Sequence, residues 1–242
     1  MNKNEPWFYC SDIPGVGEQI ILDERESRHV GGSRRLRAGD KLKLFDGKGA
    51  LAEMAFVEKS NKGIYLDILG REQHEPSKNT IHLACTIPKG DRAGVLLDMA
   101  TQVGMTDFTP LICEHGLNER TTDTAQQRWQ RIVIESCKQS RRLFLPRIHP
   151  AEELETLLHN GKMSEHKLWM ADATGNKILE YENDTNTINS SNLLLVGPEG
   201  GFSDSELSLA KDYQTNLVRL SKHILRVETA AVLLIAAVWQ KF

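Results

Sequence analysis

Between Leu193 and Glu206 the chain reads LLLVGPEGGFSDSE: an apolar run of buried-strand character, a glycine-rich turn and a polar helix start. Gly197, Gly200 and Gly201 permit backbone angles and close approaches that side chains forbid. A turn of that kind at the carboxyl end of a strand suits a small-molecule pocket. Ser203 with Glu206 three residues on forms a capping box. A plain strand-to-helix turn would also use glycines, but it would not require Pro198 and Glu199. The spacing is not the GxGxxG of a dinucleotide fold, and no Gly-Lys-Ser/Thr follows as a Walker phosphate loop demands.

A second stretch, Leu220 to Ala231, reads LSKHILRVETAA and runs from a basic, non-helical segment into an apolar helix. Glu228 and Thr229 at the helix start suit the positive end of its dipole. Arg226 then sits at the mouth of the pocket, where it serves either the chemistry or a cap or salt bridge. Three basic clusters offer phosphate contacts: Arg28 with Arg34, Arg35 and Arg37; Lys138 with Arg141 and Arg142; and Lys222 with Arg226. Each is also readable as a solvated face, although the first holds four arginines in ten residues. His29, His82 and His115 do not cluster in the sequence, and no ligand set for zinc or iron is visible, so no metal is expected.

The elements that must position these residues fall into two styles. From Gln19 to Gly70 short β-like runs alternate with glycine turns, at 19–22, 41–45, 51–57 and 63–68, with a short helix expected over 24–36. A small β-barrel follows from that spacing. The polar stretch Gln73 to Asn79 reads as a linker, giving domains at 1–72 and 73–242. Beyond it strands and helices alternate: strands over 80–87, 107–112, 168–171 and 193–196, helices over 93–103 and 125–140, with Gly104 closing the first helix. Such alternation means a parallel α/β sheet. Tyr181 to Asn192 is polar enough for a surface loop.

Composition narrows the class. A chain of 242 residues that is 40% hydrophobic buries one good core or two modest ones, which excludes disorder as the main state. The formal net charge of -3 lacks whole-chain basicity, so an RNA footprint must come from local clusters. Cys10, Cys85, Cys113 and Cys137 show no CxxC pairing and fit a reducing compartment. Residues 1–10 have no signal-peptide core, and the longest apolar run, Ala230 to Trp239, is too short for a bilayer. A cytoplasmic protein with a buried final helix is the expectation, with no membrane partner.

The segments VGPEGGFS at 196–203, ILRVETA at 224–230 and PKGD at 88–91 together resemble the ribosomal RNA small-subunit (16S) uridine-N3 methyltransferase family of the SPOUT superfamily. The similarity extends to ESCKQSR at 135–141, to Arg28-His29, to Gly39-Asp40 and to LFDG at 44–47, and so spans nearly the whole chain. The resemblance implies an α/β fold: an N-terminal PUA-like β-barrel that binds RNA, then a SPOUT methyltransferase domain with a parallel sheet and a deep trefoil knot. It implies S-adenosylmethionine held by Leu111, Val196, Gly197, Pro198, Glu199, Gly200, Gly201, Leu220, Ile224 and Leu225. Arg226 and Glu199 become the catalytic candidates. His29, Lys89 and Gln139 join Arg28, Arg34, Arg35, Arg37, Arg141, Arg142 and Lys222 as RNA contacts. The implied partners are 16S rRNA, within the assembled or nearly assembled small subunit, and a second copy of the chain in a homodimer. Met99 and Gln102 stand where lysine and glutamate are usual, and Ser221 and His223 where glycine and arginine are commoner. The rival expectations are an RNA-binding module without catalysis and a SPOUT enzyme acting on another RNA position.

Overall fold

The computed structural model describes residues 5–22, 37–61, 63–116, 122–181 and 191–240. The helix expected over 24–36 and most of the polar loop after Tyr181 therefore lie outside the described residues. The chain divides into two compact units, one formed by residues up to Pro76 with Cys137–Leu145, the other by Ser77–Ser136 with the remainder from Pro146.

In the first unit, strands β1 (Trp7–Tyr9), β2 (Gln19–Leu22), β3 (Lys41–Phe45), β4 (Ala50–Ser60) and β5 (Gly63–Gln73) form a five-stranded sheet in the order β1-β3-β4-β5-β2. Only β1 runs parallel to its neighbour; the other pairings are antiparallel. Alternate side chains go inward as period-two geometry requires. Leu42 and Leu44 of β3, Ala52 and Met54 of β4, and Ile64 and Leu66 of β5 make the core. The β3–β4 turn is fixed by Asp46, whose Oδ1 accepts from the amides of Lys48 at 2.7 Å and Ala50 at 2.9 Å. Strand β5 runs on to Gln73, past the end expected from its apolar residues, because the equally long β4 pairs with it throughout.

The second unit is built on a seven-stranded sheet. It comprises β6 (Thr80–Cys85), β7 (Asp107–Ile112), β8 (Arg147–Ile148), β9 (Glu152–Glu153), β10 (Lys167–Asn176), β11 (Ser191–Val196) and β12 (Asn216–Val218). The order is β12-β10-β11-β6-β7-β8, with β9 also on β7, and every pairing is parallel. Its helices are α1 (Arg92–Gln102), α2 (Asp123–Ser140), α3 (Leu154–Met163), α4 (Asp204–Asp212) and α5 (Val227–Trp239). The strands are buried on both faces, which is why they read as continuous apolar runs. In β11, Leu194 and Val196 join a core cluster with Leu96 of α1, Trp129 of α2 and Leu234 of α5. The alternate Leu193 and Leu195 join a second cluster with Leu158 of α3 and Ala210 of α4. Helices thus cover both faces, the doubly wound arrangement of α/β proteins.

Helix α5 buries Ala231, Leu234, Ile235 and Val238, and each large aliphatic side chain among them stabilises the fold by about 1.5–3 kcal/mol. Gly104 ends α1 at φ 110°, the left-handed region where a side chain would be strained. No helix among the described residues is long and apolar enough to cross a membrane.

Candidate active site

Strands β11 and β12 end level with the middle of β10. Ala171 of β10 lies beside Val196 of β11 on one side and Val218 of β12 on the other. The loops leaving these strands, with the start of α5, enclose a cavity of about 300 Å³. It sits at the carboxyl ends of a parallel sheet, where open α/β folds bind ligands. Ala171, Val196, Val218, Leu220, Leu225 and Ala230 give it apolar walls, and the backbone from Gly197 to Gly201 forms the opposite side. The two stretches singled out in the sequence therefore face one cavity.

Two positions in the turn call for glycine, one by crowding and one by its backbone angle. A Cβ at Gly197 would fall 2.9 Å from the Phe202 ring, and Gly201 sits at φ 77°. The Gly201 amide donates to the Pro198 carbonyl at 2.9 Å, which closes the turn. The capping box is present: Ser203 Oγ accepts from the Glu206 amide at 3.2 Å, and Glu206 Oε2 accepts from the Ser203 amide at 2.8 Å. Glu206 Oε1 also accepts from the Glu114 amide at 2.9 Å, so one carboxylate ties the turn to the end of β7. Farther along β10, beyond the cavity lining, β10 and β12 touch at Gly175, where a Cβ would run into the Leu217 carbonyl oxygen.

Charged groups gather beside the cavity. Arg92 Nη1 donates to Glu199 Oε1 at 3.0 Å and lies 3.8 Å from Glu228 Oε2. Glu199 lines the cavity, whereas Glu228 is buried and its Oε2 accepts no hydrogen bond among the described residues. The Cys85 thiol at the end of β6 is pushed well up by burial, and further by Cys113, Glu228 and Glu199, so it is not a nucleophile. Arg226 caps α5 with extended backbone, φ -70° and ψ 154°, and its carbonyl accepts from the Ala230 amide at 2.9 Å. Its neighbours Leu225 and Val227 line the cavity while Arg226 itself is exposed.

The residues present fit a nucleoside-bearing methyl donor: apolar walls for an adenine, turn amides and carbonyls for its polar edge, and the Glu199 and Asp172 carboxylates for positive charge. The model of the RNA methyltransferase domain family matches residues 75–239, and that of the RNA methyltransferase PUA domain matches residues 22–69. The ribosomal RNA small subunit methyltransferase E of Rickettsia conorii is 34% identical over 84% of this chain and 82% of its own length. The chain belongs to the ribosomal RNA small subunit methyltransferase E family. The Neisseria gonorrhoeae enzyme of that family, solved bound to S-adenosylmethionine, superposes with a TM-score of 0.84 at 28% identity over 98% of both chains. A methyltransferase of Legionella pneumophila in complex with the same cofactor superposes at 0.85, with 25% identity and 98% coverage of both.

Within this methyltransferase E fold, Val196 to Gly201, Leu220, Ile224 and Leu225 all line the cavity, Ile224 with its side chain almost wholly exposed. Leu111 does not. Strand β6 separates β7 from β11, and Leu111 is buried in the core cluster with Leu154 and Leu158 of α3. Of the residues expected to touch RNA, Arg28, His29, Arg34 and Arg35 lie outside the described residues. Arg37, Lys89, Gln139 and Lys222 are exposed. Arg141 ends α2 at φ 59°, and Arg142 is half-buried, its guanidinium pKa lowered by burial. The Lys138 ammonium lies 6.0 Å over the Phe8 ring.

Sequence reasoning missed Asp172, Phe202 and Ala230 in the cavity wall. For Asp172 a signal existed, since β10 precedes β11 in a parallel α/β pattern and its end must lie beside that of β11. Also missed was a histidine cluster at the other end of the sheet. His82, His149 and His166 line a second cavity of about 190 Å³ with Thr109 and Asn160. His82 Nε2 bonds Thr109 Oγ1 at 2.8 Å, and His149 Nε2 lies 2.8 Å from Asp107 Oδ1. Burial opposes the Asp107 charge, but bonds from Arg147 and His149 outweigh it and lower its pKa. Among the described residues no group of three or more His, Cys, Asp or Glu could hold a metal ion.

Proposed function

We propose that this chain is an S-adenosylmethionine-dependent methyltransferase that methylates N3 of a specific uridine in 16S rRNA of the small ribosomal subunit. The single observation that carries the reading is the cavity enclosed between the Gly197–Gly201 turn and the segment from Leu220 to Leu225. When bound there, S-adenosylmethionine supplies an electrophilic methyl on a positively charged sulfur. The protein's own contribution is alignment and charge. The rigid turn and the apolar walls fix the donor and exclude water, and alignment of this kind supplies the larger share of the acceleration. Arg226, at the rim, stabilises negative charge on the uracil carbonyls as the imide proton leaves. Glu199 gives the cavity a carboxylate facing the positive sulfur.

The first domain, residues 1–72, serves as a PUA-like barrel that docks RNA, with Arg28, His29, Arg34, Arg35 and Arg37 on phosphates. Lys89, Gln139, Arg141, Arg142 and Lys222 extend that footprint from residues 73–242, where the path of the C-terminal segment forms a trefoil knot. The enzyme works in the cytoplasm as a homodimer. Support for the dimer comes from α1 and α5, whose exposed Val95, Met99, Leu233 and Trp239 are apolar and suit a second copy. The test is to incubate the protein with labelled S-adenosylmethionine and small subunits from a strain lacking the gene, then map the label by mass spectrometry. A single N3-methyluridine in 16S rRNA is expected. Label on a ribose hydroxyl, on a guanine or nowhere would overturn the assignment.

A further inference from the structure

Arg92 stands where its own helix disfavours it. It is the first residue of α1, whose first turn contains no acidic residue, so the guanidinium faces the positive end of the helix dipole. Two carboxylates hold it there. Glu228 is 8% exposed, and removing the partner of a buried carboxylate costs far more than breaking an exposed ion pair. Glu228 draws the Arg92 guanidinium to that side by charge alone, since Nη1 stands 3.8 Å from its Oε2 and that oxygen accepts no hydrogen bond among the described residues. The Nε of the same fork donates to the Lys89 carbonyl at 3.4 Å, which sets its orientation. The remaining reach, Nη1 to Glu199 Oε1 at 3.0 Å, falls on a half-exposed turn residue that lines the cavity. Dependence runs from Glu228 through Arg92 to Glu199, across three segments distant in sequence.

We propose that Arg92 is a positioning residue which, drawn toward buried Glu228 and hydrogen-bonded to Glu199, holds the Glu199 carboxylate at the cavity rim to recognise the positive sulfonium of the methyl donor. The inference rests on the reading of the cavity as the donor's site. The Glu199 carboxylate held in this way presents a negative charge at the cavity wall, which attracts the donor's positive sulfur. S-adenosylhomocysteine, whose sulfur is neutral, gains nothing from it, so the tether favours donor over product. The other carboxylate in the wall, Asp172, is fixed by its own strand: its Oδ1 accepts from the Thr174 amide at 2.8 Å and from Thr174 Oγ1 at 2.5 Å. Loss of Arg92 leaves that arrangement alone.

The test is calorimetric titration of the full chain with S-adenosylmethionine and separately with S-adenosylhomocysteine. The proteins are the wild type, Arg92→Met, Arg92→Lys, Glu199→Gln and the Arg92→Met/Glu199→Gln double variant. Arg92→Met and Glu199→Gln are each expected to weaken the donor about five- to ten-fold and the product no more than about two-fold. The double variant is expected to bind the donor no more weakly than either single one, and Arg92→Lys to regain at least half of the loss. Multiplying losses in the double variant, or equal losses of donor and product, would overturn the tether. Should Arg92→Met fail to fold, the donor-to-product ratio of Glu199→Gln and Arg92→Lys decides by the same criterion. A wild type that binds neither compound would instead strike down the cavity reading itself.

Discussion

Acidification should destabilise this protein through one histidine. His82 is held mostly by burial at a pKa of about 4, with His149, His166 and Arg147 pushing the same way and Asp107 opposing, against 6.5 for the ordinary side chain. A depressed histidine pKa means that the fold prefers the neutral ring. Its contribution is intact above pH 6.5 and is lost as the pH falls toward 4. At pH 5 the unfolded-state imidazole is almost fully protonated and the folded one only about one-tenth, a difference worth about 2 kcal/mol. The ring cannot escape by turning to water, since its Nε2 is engaged by Thr109 Oγ1 at 2.8 Å and its centroid lies 5.3 Å from that of His149. The measurement is urea unfolding at 25 °C and pH 7.5, 6 and 5, for the wild type and His82→Gln. Glutamine retains a donor and acceptor for Thr109 but does not titrate. The wild type should lose about 2 kcal/mol more than the variant between pH 7.5 and 5. Parallel profiles would refute the reasoning, since they would mean that the cluster is hydrated and His82 is not desolvated.

Other outcomes follow from the same geometry. Arg226→Ala should cut kcat about 30- to 100-fold while S-adenosylmethionine affinity by calorimetry stays within about two-fold, because the group is exposed beside the cavity and not in its wall. Gly175→Ala puts a Cβ on the Leu217 carbonyl and must part β10 from β12, costing about 1–3 kcal/mol of overpacking. Scanning fluorimetry should show a melting point lower by several degrees and little further stabilisation by S-adenosylmethionine. RNA affinity should fall steeply and linearly on a log–log plot against salt, and Lys89→Gln or Lys222→Gln should each reduce the slope by about one, read by filter binding.

What could be read from the sequence was local or periodic. The β11 run, the Ser203–Glu206 box and α5 all announce themselves within a dozen residues, because capping and burial on both faces act at that range. Helix α3 carried the same kind of signal in Leu154, Leu157 and Leu158, although no helix was expected there. The Arg92–Glu199 bond joins residues 107 apart, and nothing in either neighbourhood marks them as partners. The histidines meet because His82 of β6, His149 after β8 and His166 just before β10 converge on one cavity, a consequence of strand order that no single segment encodes. Strand β10 continues through the polar Asp172 to Asn176 because β12 pairs with its far end after a register shift, so pairing, not apolar content, sets its length.

Every wall of the main cavity comes from residues after Met170: the end of β10, the turn at 197, β12 with its following segment, and the first turns of α5. On the proposed reading of that cavity, therefore, a nascent chain completes the donor's site only once α5 has left the ribosome and docked.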